Sequence, residues 1–145
     1  MRIYLDNCCL NRPFDDQSNM KIRLEAEAVL FIQGKIAVHE IELAWSYIID
    51  YENSLNPFDE KQSAIDDLKT FKTIDTNETG TILKNAAIIQ ELGLKTFDAL
   101  HVACAIETGC DYFLSTDYPI LKKLGGFAKI KVTNPIELIR ILEEK

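Results

Sequence analysis

Residues 96–117, TFDALHVACAIETGCDYFLSTD, carry two carboxylates, Asp98 and Asp117, whose spacing suits metal chemistry. Ala99, Leu100, Val102, Ala103 and Ile106 recur at the helical period. Thr96 is the expected N-cap and Gly109 the expected stop. Tyr112, Phe113 and Leu114 then make a short run suited to a buried strand. A helix from 98 to 109 climbs about 17 Å at about 1.5 Å per residue. A strand from 111 to 117 returns about 20 Å at about 3.3 Å per residue. The two lengths nearly cancel, so Asp98 and Asp117 are expected at one edge of the domain. Two carboxylates held together raise each other's pKa unless a positive charge lies between them. A hard divalent cation, which prefers carboxylate oxygens, meets that need.

The elements that must position these acids alternate in type. Residues 2–5 read as a strand with Asp6 at its C-terminal end. Residues 7–19, with Arg12-Pro13 and Asp15-Asp16, read as a polar loop long enough to suggest function. Ser18 or Asn19 caps a helix over 21–33, with the apolar stripe Ile22, Ala26, Val29, Leu30 and Phe31 and a stop at Gly34. A strand over 41–45 leads to Ser46, which caps a helix carrying Glu52 and stopped by Asn56-Pro57. Asp59 caps a helix running to residue 71, residues 72–75 form a small edge strand, and a helix over 78–92 ends at Gly93. After Asp117 come a short helix through Ile120 and Leu121, a strand over 128–132, and a C-terminal helix with Pro135 at its first position. This alternation predicts an α/β domain with a largely parallel sheet. In such sheets ligands gather at the carboxyl ends of the strands. Asp6, Asp117 and the start of the Glu52 helix all fall there.

At 145 residues the chain is expected to form a single domain over 1–145. Its 47% hydrophobic and 27% charged residues predict a packed core and exclude a disordered chain. No apolar run approaches the roughly 20 residues of a membrane span, so no membrane partner is expected. An acid at position 6 comes too early for a signal peptide, which predicts a cytoplasmic protein. The net charge of −7 argues against general coating of nucleic acid, which needs a basic surface. It is compatible with a nucleic-acid enzyme whose acidic site recruits metal. The basic pairs Lys21 with Arg23, Lys69 with Lys72, and Lys122 with Lys123 read as solvated surface. Cys8, Cys9, Cys104 and Cys110 have no zinc-like spacing and read as reduced thiols, Cys104 as a small core residue.

The order and context of Asp6, Glu52, Asp98 and Asp117 resemble the PIN domain, the nuclease module of VapC-type toxins. The first strand ending in Asp6 looks like that family's opening strand and Asp. Ser46 followed by Glu52 looks like its second-strand Ser and helical Glu. FDALHVACAIETGCDYFLSTD looks like its third acid, its Ala-rich helix and the Thr-Asp that ends its fourth strand, with Thr116 as that Thr. The resemblance covers 2–131 and implies a three-layer α/β/α sandwich around the parallel sheet. It implies a divalent-metal-dependent endoribonuclease, with RNA as substrate and Mg2+ or Mn2+ as cofactor. Asp6 and Asp98 would be direct metal ligands, Asp117 a ligand directly or through water, and Glu52 the group that orients or deprotonates the attacking water. Thr116 would hydrogen-bond a carboxylate or phosphate. A cognate antitoxin and a homodimer are further implications.

The pattern departs from the family beside Asp6, where Asn7 and Cys8 stand, and after Asp117, where Tyr118, Pro119 and Ile120 stand in place of a further acid. On these departures rests a second reading, a catalytically weak or inactive PIN-like module that binds RNA or protein. A third, a phosphotransferase or phosphatase with Asp6 as nucleophile, wants a second Asp where Cys8 stands. Plainer roles exist for single residues. Asp98 complements a helix dipole, Asp117 can begin the next helix, and Asp50 and Glu42 are alternatives to Glu52. His101 reads as a packed helix residue, and Trp45, Tyr47 and Tyr51 read as core more readily than as a base-stacking platform.

Overall fold

Ile3, Tyr4 and Leu5 are fully buried, which requires a strand at the centre of a sheet covered on both faces. A computed structural model describing residues 1–144 has that arrangement. Its strands are β1 (Arg2–Leu5), β2 (Glu42–Ser46), β3 (Ile74–Thr76), β4 (Tyr112–Leu114) and β5 (Lys131–Thr133). They pair in parallel in the order β3-β2-β1-β4-β5. Tyr4 lies opposite Phe113 and Leu5 opposite Leu114. The rings of Tyr4 and Phe113 stack with centroids 5.6 Å apart.

The connections contain α1 (Asn7–Asn11), α2 (Met20–Ala37), α3 (Tyr47–Ser54), α4 (Asp59–Lys69), α5 (Gly80–Gln90), α6 (Thr96–Glu107) and α7 (Tyr118–Lys123), and α8 (Pro135–Glu143) follows β5. Helix α2 packs on α8, and α5 packs on α6. The chain steps outward from β1 to β3, then returns past β1 to β4 and β5. Right-handed crossovers in opposite directions put the two helix pairs on opposite faces. The expected three-layer α/β/α sandwich results.

Several local expectations need correction. The stretch 7–19 is not an open loop. It holds α1 and a 3₁₀ turn over Arg12–Phe14. Asp6 starts α1 as its N-cap, its carboxylate accepting from the Asn7 N–H at 2.7 Å. Gly34 does not stop α2, because Ile32 and Ile36 on either side are fully buried and their packing outweighs the glycine. The chain turns instead at His39, with φ of 62°. The buried stripe of α2 is Glu25, Ala26, Ala28, Val29, Ile32 and Ile36, whereas Leu30 and Phe31 are exposed. Helix α6 begins at Thr96 with Lys95 as N-cap, α4 has Phe58 as N-cap, and α5 starts after Thr79, which caps it. The last strand lies a few residues later than expected, at Lys131–Thr133.

Candidate active site

Strand order reverses at β1, whose neighbours are β2 on one side and β4 on the other. A crevice opens at the carboxyl end of such a switch point. Asp6 lies there directly after β1, its backbone N–H donating to the Leu114 carbonyl at 3.0 Å. Asp117 follows β4 and stands at the N-cap of α7. Asp98 lies in the first turn of α6, and Glu52 lies on α3, the helix that Ser46 caps. All four acids line one cleft of ≈ 410 Å³, together with Arg12 and Asp15 among others. Thr116 stands just behind it, buried, where its Oγ1 accepts a hydrogen bond from Arg12 Nη2 at 2.7 Å.

Burial makes this charge expensive. Asp6 is 4% exposed. Its Oδ2 accepts from Ser115 Oγ at 2.9 Å and lies 3.3 Å from Cys8 Sγ. Burial, followed by the charge of the adjacent Cys8, holds the Asp6 carboxyl well above the usual range, with Ser115 opposing. Hydrogen bonding from Cys9, then from Ser115 and Thr116, draws the Cys8 thiol down to about 5. The Asp6 carboxyl and the Cys8 thiol, 3.3 Å apart, thus shift in opposite directions. Burial and then the nearby Asp117 raise Asp98, while His101 lowers it. Among the described residues no Lys, Arg or His forms an ion pair with Asp6, Asp98 or Asp117.

The donor chemistry of this trio fits a hard divalent cation: oxygens only, charged, and without a protein counter-ion. No group of three His, Cys, Asp or Glu side chains among the described residues stands close enough to enclose an ion as it is.

Glu52 has a different setting. Its Oε1 is bonded to His101 Nε2. His101 Nδ1 lies 2.6 Å from Tyr4 Oη, which lies 2.6 Å from Ser46 Oγ. Tyr4, Ser46 and His101 are all buried. Burial, then the charge of Cys104, raises the Tyr4 hydroxyl well above its ordinary value, so it stays a donor. One donor order that satisfies the chain runs from Ser46 to Tyr4, from Tyr4 to His101 Nδ1, and from His101 Nε2–H to Glu52. His101 thus fixes Glu52 from the core. Trp45 is likewise buried, its Nε1 donating to Asp50 at 2.9 Å, so it serves the core. Tyr51 is exposed and meets Phe97 edge-on with centroids 5.7 Å apart.

Two functional contacts were not foreseen from the sequence. Ser115, one place before Thr116, makes the bond to Asp6, and its Oγ also accepts from the Asp117 N–H at 3.0 Å. A Ser-Thr pair before an Asp at a strand end was the signal available. Arg12 reaches the cleft only because 7–14 folds into helical turns, which no periodicity announced.

A family model described as PIN domain matches residues 3–125. No curated protein matches the chain. The crystal structure of FitAcB from Neisseria gonorrhoeae shares the fold at 15% identity and a TM-score of 0.56, covering 92% of this chain and 97% of that one. The crystal structure of VapBC2 from Rickettsia felis, bound to a DNA fragment from their promoter, is likewise similar. It shows 15% identity and a TM-score of 0.57, covering 92% of this chain and 98% of that one.

Proposed function

This chain belongs to the PIN domain family, and from that premise we propose that it is a divalent-metal-dependent endoribonuclease that hydrolyses RNA phosphodiester bonds. The observation that carries this reading is the meeting of Asp6, Glu52, Asp98 and Asp117, from four separate elements, at one cleft beside the switch point. Asp6, Asp98 and Asp117 would hold Mg2+ or Mn2+. Such an ion, when bound, neutralises phosphate oxygens and lowers the pKa of a coordinated water. Glu52 takes the proton of the attacking water at Oε2, since Oε1 is engaged by His101. Ser115 keeps Asp6 oriented, and Thr116 keeps Arg12 oriented. The likeness to VapC-type toxins extends the proposal to a cognate antitoxin and a homodimer. Co-purification with the product of a short neighbouring reading frame tests the first, and sedimentation equilibrium the second.

Calorimetric titration with Mn2+ and a cleavage assay on single-stranded RNA test the central claim. Wild-type protein binds the ion and cuts. Asp98→Asn, with an unchanged circular dichroism spectrum, loses roughly 1,000-fold in cleavage, because metal-borne charge stabilisation is worth several kcal/mol. Undiminished cleavage by Asp98→Asn would sink the assignment. Tight RNA binding without cutting by the wild type would favour the non-catalytic module.

A further inference from the structure

The cleft gathers Asp6, Asp15, Glu52, Asp98 and Asp117, and the cation among its lining residues is Arg12. A polyanionic strand entering so acidic a site meets repulsion that a metal ion offsets only in part. A guanidinium matches phosphate oxygens in a planar fork and stays charged at any working pH.

The way Arg12 is held suits that task. Its Nε lies 3.5 Å from Oε1 of Glu25, a buried carboxylate on α2. Its Nη2 donates to Thr116 Oγ1 at 2.7 Å, next to the Asp117 backbone. Its Nη1 donates to Asp15 Oδ2 at 3.0 Å. Glu25 and Thr116 are fixed parts of the core and the sheet edge, whereas the Asp15 side chain is 37% exposed. The Arg12 side chain is 18% exposed, so this pair is only partly open to solvent, but Asp15 is the most exposed of the three partners and the one a phosphate can displace. The Thr116 bond, with the longer ion pair to Glu25 that leaves Nε without a hydrogen bond, holds the guanidinium, and the Asp15 contact is the replaceable one.

We propose that Arg12 binds the phosphate of the RNA strand in this cleft, and that Asp15 occupies Nη1 until that phosphate displaces it. The assignment rests on the nuclease reading for its substrate and adds to it a phosphate ligand outside the acidic set. Glu25 and Thr116 act through Arg12 as positioning residues.

The test compares wild type, Arg12→Met, Arg12→Lys and Asp15→Asn in three measurements: RNA cleavage, calorimetric Mn2+ binding, and fluorescence anisotropy of a 2′-O-methyl RNA oligonucleotide that cannot be cut. Arg12→Met should lose about 100-fold in kcat/KM, the scale of one removed charge-stabilising donor, and bind the oligonucleotide more weakly, with Mn2+ affinity kept. Arg12→Lys should recover part of both losses. Asp15→Asn should lower KM by about two- to fivefold, the range of an exposed ion pair. Arg12→Met within threefold of wild type in both cleavage and oligonucleotide binding overturns the proposal. So does parallel loss of Mn2+ binding, which marks a purely structural role. If Arg12→Met fails to fold, Asp15→Asn decides, and an unchanged or raised KM overturns the proposal. A wild type that binds Mn2+ yet cuts no RNA refutes the nuclease reading, while the anisotropy comparison still decides for or against Arg12.

Discussion

A carboxylate works as a base only if its orientation is held while its charge is free to change. Glu52 meets this condition through one oxygen fixed by His101, which is itself fixed by Tyr4 and Ser46. Removing the Tyr4 hydroxyl would leave His101 Nδ1 and Ser46 Oγ without that partner in a buried place. Tyr4→Phe should therefore cost about 1–3 kcal/mol of stability, the penalty for stranded buried polar groups, read from urea unfolding. On the proposed roles Glu52 loses its support while Asp6, Asp98 and Asp117 do not, so kcat should fall with little change in Mn2+ affinity. A Tyr4→Phe protein as stable and active as wild type would show that the network is dispensable. Asp98 and Asp117 are the complementary case, acids whose mutual repulsion is useful only where a cation resolves it.

At the scale of elements, short helices bring distant side chains to the sheet edge. Helix α1 exists because Asp6 caps it with its side chain and its carbonyl accepts from the Cys9 and Leu10 N–H groups at 2.9 and 3.1 Å. The same residue thus serves the site and begins the turn that carries Arg12 toward it. Helix α2 shows the opposite economy, keeping a glycine in its interior. Gly34 has no positive φ, and a Cβ built there meets nothing within 4 Å. Gly34→Ala should raise stability by about 0.5–1 kcal/mol through the unfolded chain's lost freedom, seen as a higher urea midpoint with unchanged slope. A lower midpoint would mean that the glycine has a packing role the helix does not reveal.

For the whole molecule, the raised carboxyls of the cleft and the lowered Cys8 thiol pull the pH dependence of stability in opposite directions. Asp6 and Asp98 have folded-state pKa values raised above their unfolded ones. At these two carboxyls the folded state binds protons more tightly than the unfolded state. Stability from these groups is fully present below the unfolded carboxyl pKa of about 4 and is lost as pH rises through the folded values. In a chelator and a Cys8→Ser background, which removes the opposing thiol drawn down to about 5, thermal unfolding should shift to lower temperature between pH 5 and pH 8, about a few degrees. Asp6→Asn should flatten that slope, and Mn2+ should raise the wild-type Tm more at pH 8 than at pH 5, since the ion binds the ionised form. In that background, a metal-free Tm that climbs with pH equally with and without Asp6→Asn would contradict the uncompensated cluster. Among the described residues no helix is long and apolar enough to cross a membrane.

Much of this was legible in the chain itself. Alternating strand and helix patterns specify the α/β class, because side-chain period reports directly which face each element buries. The text around Asp98 and Asp117 is local, a helix and a strand of matched length joined by one turn, so their proximity follows from rise per residue alone. Asp6 and Glu52 could be placed at the same edge because parallel strands share one carboxyl end. What the chain did not disclose depends on contacts between residues far apart. Gly34 within α2, the bond from Ser115 to Asp6, and the chain from Glu52 through His101 to Tyr4 are of this kind. Packing of Ile32 and Ile36 decided the first, and meetings across as many as 109 positions decided the bond to Asp6. Local pattern determines which elements form, but only the assembled sheet determines which side chains meet at its edge.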